Sequence, residues 1–112
     1  MSMLTNLEKR TQEINLATKL LDCIYTNDTK NFSELIEDNI EIIKKNLYFE
    51  VFSKCLKLSF LLEKTEILYI FMKYNIKEFF HKYPHQKKMI GDAAFKTKNT
   101  ECIYIFLSMF FG

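Results

Sequence analysis

The sequence contains no tryptophan, two glycines and one proline among its 112 residues. Glycine and proline form the tight turns of β-sandwiches and the phosphate-binding loops of nucleotide enzymes, so their scarcity argues against both kinds of protein. It favours helices joined by short connections. Hydrophobic residues, in contrast, make up 48% of the chain and aromatic residues 15%. This supply is sufficient for the buried core of a single domain.

The sequence also lacks a strong charge of either sign. Its net charge is +2, which is too close to neutral to indicate a nucleic-acid surface by itself. Three cysteines, Cys23, Cys55 and Cys102, show no Cys-x-x-Cys spacing, which is typical of a reducing compartment and of buried, inert thiols. Charged residues appear too early for a signal peptide, and the uncharged tract 102–112 is shorter than the roughly 20 residues that span a bilayer. We therefore expect a cytoplasmic protein without a membrane span.

A seven-residue motif occurs twice, with the two copies 35 residues apart. Thr65–Phe71 reads TEILYIF and Thr100–Phe106 reads TECIYIF, with five of seven positions identical. A fainter copy begins at Thr29, 36 residues before Thr65. Periods of roughly 33 to 47 residues are typical of stacked helix pairs. The sequence therefore predicts an all-α fold of about three stacked helix-turn-helix repeats in one short solenoid, with repeats at approximately 14–46, 47–82 and 83–112. The alternative is an ordinary helical bundle that contains one duplicated helical hairpin.

Polar clusters separate the apolar segments. A Thr-x-x-Glu capping box at residues 5–8 predicts the start of the first helix. Turns that carry helix caps are predicted at 26–29, 63–65 and 96–100. These positions divide the chain into helices whose apolar residues recur at spacings of three and four.

Three other positions carry local predictions. Residues 40–46 fit either an extended connector or a further turn of helix, and their state is left open. Pro84 is well placed to begin a helix. Gly91 lies inside the apolar stripe of that helix, where its small size permits close contact with another helix.

Several stretches resemble the ankyrin repeat, a pair of helices with a projecting turn. Residues 93–103 look like the end of its first helix, its turn and the start of its second helix, and residues 58–76 and 21–40 are similar. The repeats lack Thr-Pro-Leu-His and the usual turn glycines. Such degenerate copies resemble ankyrin-like proteins of large DNA viruses. The resemblance implies a non-catalytic protein–protein interaction module, a viral modulator that binds a host protein in the host cytoplasm.

No combination of residues indicates catalysis. His81 and His85 have the spacing of a helical metal-binding pair, but Pro84 lies between them and no cysteine or carboxylate stands beside them. Cysteine and histidine do not form a paired arrangement that spacing supports, and there is no glycine-rich phosphate loop. We therefore expect no catalytic residue, no cofactor and no metal.

The densest basic cluster lies between the second and third repeats, where ankyrin proteins carry projecting fingers. This basic segment comprises His81, Lys82, Tyr83, His85, Lys87 and Lys88. We predict that it binds the partner protein, with charge reversal at Lys87 and Lys88 abolishing binding and leaving the melting temperature nearly unchanged. The alternatives are a solvated connector and a nucleic-acid or anionic-surface binding site, although affinity for nucleic acid needs many phosphate contacts.

The last predicted helix is apolar on all sides, with no charge after Glu101. Terminal repeats of solenoids normally have a polar outer face, so we expect one face of this helix to be uncovered. The sequence therefore predicts a two-fold homodimer that buries Met109, Phe110 and Phe111. A membrane-surface role is the alternative for these residues, but the tract lacks the basic face that such helices use.

Overall fold

The computed structural model describes residues 6–44 and 49–112. All regular secondary structure in these ranges is helical, which confirms the all-α class. The helices are α1 (Asn6–Thr26), α2 (Thr29–Lys44), α3 (Phe49–Leu61), α4 (Thr65–Phe71), α5 (Ile76–Phe79), α6 (Pro84–Lys96) and α7 (Thr100–Phe111).

The helices form two layers. In one layer α3 packs against α1 and against α6. In the other layer α4 contacts α2 and α7, and the short helix α5 also packs against α7. A short turn connects the layers in the first pair (α1 and α2), the second pair (α3 and α4) and the third pair (α6 and α7).

Each of these three turns contains a residue in the left-handed backbone region. The φ angles are 57° at Asn27, 55° at Glu63 and 56° at Lys98. The spacings, 63 − 27 = 36 and 98 − 63 = 35, are those of the sequence repeat. In the first two turns the next residue donates its N–H to the carbonyl five residues back, at 2.8 and 2.9 Å, which satisfies a carbonyl at the helix end. The repeat is thus one of backbone conformation as well as sequence.

Two of the three caps predicted at the turns form. A carboxylate oxygen of Asp28 accepts the N–H of Asn31 at 3.2 Å, and the side-chain oxygen of Asn99 accepts the N–H of Cys102 at 3.1 Å. In the second pair the N-cap position is Lys64, which makes no side-chain cap bond because an ammonium group has no acceptor. The expectation of a cap at 63–65 was therefore wrong.

Other local predictions have mixed outcomes. Residues 40–44, whose state the sequence left open, belong to α2, while 45–46 lie outside the described residues. Thr5 of the capping box also lies outside them. Pro84 begins α6, as predicted. The sequence did not predict α5, a single turn within the connection from α4 to α6.

Buried phenylalanine rings join the two layers. The ring centroid of Phe71 lies 5.3 Å from that of Phe32 and 5.2 Å from that of Phe52, both in edge-to-face geometry. Phe52 in turn stacks on Phe79 of α5 at 5.0 Å. Complete burial of one such ring contributes on the order of 2 to 3 kcal/mol, so this cluster fixes α5 against the helix pairs.

The close helix contact predicted at Gly91 is present. A Cβ atom at this position would lie 2.9 Å from Cζ of Phe106, closer than carbon atoms normally approach. The absence of a side chain at Gly91 thus makes room for the Phe106 ring between α6 and α7.

Candidate interaction surfaces

The structure divides the basic segment between two elements. His81, Lys82 and Tyr83 lie in the connection before α6. They line an open groove of about 910 Å³ together with residues of the preceding segment, among them Lys73, Lys77 and Glu78. This groove is cationic and partly aromatic, but its side chains belong to one short connection and do not form a long basic stripe.

The remaining basic residues lie on α6. His85 and Lys88 are exposed, whereas Lys87 is half-buried. The Nζ atom of Lys87 lies 4.2 Å from the ring centroid of Phe111 and 5.9 Å from that of Phe110. An ammonium group over an aromatic face is a favourable cation–π geometry. The structure therefore brings one member of the predicted partner site into contact with the predicted self-association site.

The expectation that Met109 and Phe110 are uncovered was wrong. They are 8% and 1% exposed, and the chain itself covers them. The Phe110 ring lies 5.5 Å from Phe80 and 4.9 Å from Phe106. The sequence did not show that the connection after α4 returns to cover this side of α7. The homodimer stays a prediction, and of the three predicted residues only Phe111, which is 63% exposed, supports it.

Most of the apolar residues that are exposed near the C-terminus were not predicted from the sequence. Tyr104, Leu107 and Phe111 are exposed at spacings of three and four, so they form one stripe along α7. Phe95 of α6 is also exposed. We call these four residues the C-terminal apolar surface. The sequence did indicate that the last helix is apolar on all sides. Which of its residues form the exposed stripe becomes clear only when the buried side of the helix is known.

Polar bonds join the second and third pairs at their turns. The side-chain amide of Asn99 donates to Oε1 of Glu63 at 2.8 Å. The hydroxyl of Tyr69 donates to Oε1 of Glu101 at 3.0 Å. This hydrogen bond, together with desolvation and the negative charge of Glu101, raises the pKa of the Tyr69 phenol. Both bonds link the N-terminal end of α7 to the second pair.

The C-terminal apolar surface contains sequence equivalents of the residues that make this contact. Subtracting the 35-residue period relates Phe95 to Phe60 and Tyr104 to Tyr69. Phe60 is fully buried, with its ring centroid 6.1 Å from that of Phe106 in the third pair. Phe95 is 49% exposed, and no further helix among the described residues covers it. The C-terminal apolar surface of the third pair is thus equivalent to the surface of the second pair against which the third pair packs.

The cysteines are poorly suited to nucleophilic chemistry. Cys23, Cys55 and Cys102 are free and buried, which confirms the prediction of buried thiols. Desolvation by burial raises the pKa of all three, to about 12 for Cys55. A raised pKa keeps a thiol protonated at neutral pH, and the protonated form is a weak nucleophile.

Two absences characterise the described ranges 6–44 and 49–112. No three histidine, cysteine, aspartate or glutamate side chains there lie close enough together to hold a metal ion. None of the helices there has the length and hydropathy needed to cross a membrane. Comparisons of the chain with known protein families, with curated proteins and with solved structures found no match.

Proposed function

We propose that this protein is a non-catalytic protein–protein interaction module, built as a short ankyrin-like stack of three helix pairs, which binds its partner through the C-terminal apolar surface. The proposal joins two observations. The chain repeats a helix-pair geometry, and the last pair exposes Phe95, whose repeat equivalent Phe60 is buried in the preceding pair.

The difference between Phe60 and Phe95 carries the proposal. The same side chain at the same position of the repeat is fully buried in the second pair and about half exposed in the third. Burying the rest of one such ring contributes on the order of 1 kcal/mol, and Tyr104, Leu107 and Phe111 add to this gain. Contiguous apolar side chains of this kind on a protein surface mark association sites.

The turns and layers support an ankyrin-like stack. Left-handed turn residues recur at 27, 63 and 98, and corresponding helices of successive pairs lie beside each other. The side-chain amide of Asn27 donates to Oε2 of Glu66 at 3.1 Å, so a polar bond also joins the first two pairs, here between the turn residue and the second residue of α4. In stacked repeats each unit is stabilised by its neighbours, so an apolar face on a terminal repeat lacks the neighbour that would cover it.

Quantitative capture from a cytosolic extract tests the proposal. The baits are the wild-type chain and the double variant Leu107→Ser/Phe111→Ser. The matched control is Ile14→Ser/Tyr25→Ser, which removes two similarly exposed apolar side chains from α1. We expect a defined protein to bind the wild type and the control and to be depleted about tenfold on the surface variant. Equal capture by all three baits contradicts the proposal, provided that circular dichroism shows each bait to be folded.

Binding to nucleic acid through the basic segment is the competing function, and it has a separate test. An oligonucleotide is titrated at low and at moderate salt. Because phosphate contacts release counterions, binding through several lysines weakens steeply as salt rises. Tight, salt-sensitive binding that charge reversal at Lys82 and Lys88 removes would favour the competing function.

A further inference from the structure

We infer that the occupant of the C-terminal apolar surface is an amphipathic helix of another protein, with one carboxylate at its N-cap and another at its second helical position. The inference rests on the proposed function and specifies its partner chemically. It takes the contact between the second and third pairs as a template for the contact that the third pair makes with a partner.

The first carboxylate follows from Tyr104. Its repeat equivalent, Tyr69, donates its hydroxyl to Glu101, which is the second residue of α7. Tyr104 is exposed and presents the same hydroxyl at the same position of the repeat. Suppose that a partner helix packs on the third pair in the way that α7 packs on the second pair. Its second residue then lies opposite the Tyr104 hydroxyl. A carboxylate there accepts a charge-assisted hydrogen bond.

The second carboxylate follows from Lys98. The equivalent residue is Glu63, whose carboxylate accepts from Asn99, the N-cap of α7. Lys98 places an ammonium group where Glu63 places a carboxylate. An ammonium group only donates hydrogen bonds, so a partner group that bonds to Lys98 is an acceptor. Aspartate is both a favoured N-cap residue and the acceptor that neutralises this charge.

The surroundings of the surface carry further positive charge. Lys87 lies over the Phe111 ring, and Lys88 is exposed one position further along α6. No charged residue follows Glu101 in α7. Lys87 and Lys88 therefore favour an acidic partner at this end of the stripe, whereas the exposed Asp92, about one turn before Phe95 on α6, places a negative charge near that residue.

The same template argues against a second copy of this chain as the occupant. The residues at the N-cap and second helical positions are Asp28 and Lys30 in α2, Lys64 and Glu66 in α4, and Asn99 and Glu101 in α7. None of these helices offers a carboxylate at both positions. In a head-to-tail contact, α2 would place Lys30 opposite Tyr104, and α4 would place Lys64 opposite Lys98.

A peptide pair tests the inference with the full-length protein. The acidic probe is a lactam-bridged helical peptide that begins Asp-Thr-Glu and continues with the buried-side residues of α7, its other positions being glutamine. The neutral probe begins Asn-Thr-Gln and is otherwise identical, with equal helicity verified by circular dichroism. Fluorescence anisotropy measures the affinity of each peptide for the wild type, for Tyr104→Phe/Lys98→Gln and for Leu107→Ser/Phe111→Ser.

We expect the acidic peptide to bind the wild type about tenfold more tightly than the neutral one, because charge-assisted hydrogen bonds contribute at this level. This preference should fall to about twofold in Tyr104→Phe/Lys98→Gln, and both peptides should lose binding to the serine variant. Equal affinity of the two peptides for the wild type would overturn the inference and leave the proposed function intact.

The other outcomes also discriminate. Acidic-peptide binding that survives Leu107→Ser/Phe111→Ser contradicts the proposed function itself, since the apolar surface then plays no part. No binding of the acidic peptide to the folded wild type at about 1 mM overturns the inference. A dimer in sedimentation equilibrium that the serine variant dissociates would instead assign the surface to a second copy, as the homodimer predicted from the sequence requires.

Discussion

Lys87 and Phe111 form a contact between α6 and the end of α7, with 4.2 Å between the ammonium nitrogen and the ring centroid. The neighbouring Lys88 is exposed. We expect Lys87→Gln to lower the free energy of unfolding by about 0.5 to 1 kcal/mol and Lys88→Gln to change it by less. Chemical denaturation of the two variants measures the difference. Identical unfolding curves would show that the cation–π contact contributes nothing.

The charge-reversal experiment suggested by the sequence needs revision for the same reason. It assumed that Lys87 and Lys88 both carry exposed charges. Reversal at Lys87 places a carboxylate over the negative face of the Phe111 ring, so a loss of partner binding in that variant would mix recognition with stability. Reversal at Lys82 and Lys88, which are both exposed, separates the two effects.

Gly91→Ala tests the packing of α6 on α7. Alanine favours helix formation by up to about 1 kcal/mol, but its methyl group overlaps the ring of Phe106. Overpacking of this kind costs about 1 to 3 kcal/mol, so we expect a net loss of about 1 kcal/mol in the free energy of unfolding. In a Phe106→Leu background the clash is relieved, and the same substitution should become stabilising. A substitution effect with the same sign in both backgrounds would contradict this explanation.

We expect the buried Cys55 thiol to contribute to the loss of stability at alkaline pH. Burial raises the pKa of its thiol to about 12, compared with about 8.5 in an unfolded chain. The native state therefore retains a proton that the unfolded state loses between these values, and stability falls as pH rises through this window. The slope is about 1.4 kcal/mol per pH unit, and the total on the order of 5 kcal/mol. Cys55→Ala should remove this component, and parallel pH profiles of the two proteins would refute the assignment.

The turn residue Lys98 offers a stabilising substitution. Its φ of 56° lies in the left-handed region, which costs a residue with a side chain about 1 kcal/mol relative to glycine. Lys98→Gly should therefore raise the melting temperature. Lys96→Gly, which places the same residue within the last turn of α6, should lower it. A decrease in both variants would mean that the Lys98 side chain makes a larger stabilising contribution than its backbone strain.

Much of the helical framework was predictable because it depends on local chemistry. Pro84 sets the start of α6, and Asp28 and Asn99 cap helices with side-chain oxygens. Gly91 indicated a close approach of helices because a helix interior otherwise disfavours glycine. Each of these signals is contained within a few residues of sequence.

The candidate surface was less predictable because it depends on tertiary contacts. The sequence indicated that α7 is apolar all round, but not which side the rest of the chain covers. Phe80 lies 30 residues before Phe110, and the rings meet only because the connection through α5 returns to α7. For the same reason the sequence selected Met109 and Phe110 and missed Leu107.

The central position of α3 bears on how the protein opens. α3 packs against α1 and α6, whereas α1 and α6 each have one neighbour in their layer, so the ends of the array are held by fewer contacts. Arrays with nearest-neighbour coupling lose structure from their ends, in units smaller than the whole domain. The amides of α3 should therefore exchange with solvent most slowly, and those of α1, whose residues 7–12 are exposed, much faster. Uniform exchange rates across all helices would instead indicate a single cooperative unit. If the ends do open first, a partner that binds α7 should slow amide hydrogen exchange most in the third pair and least in the first pair.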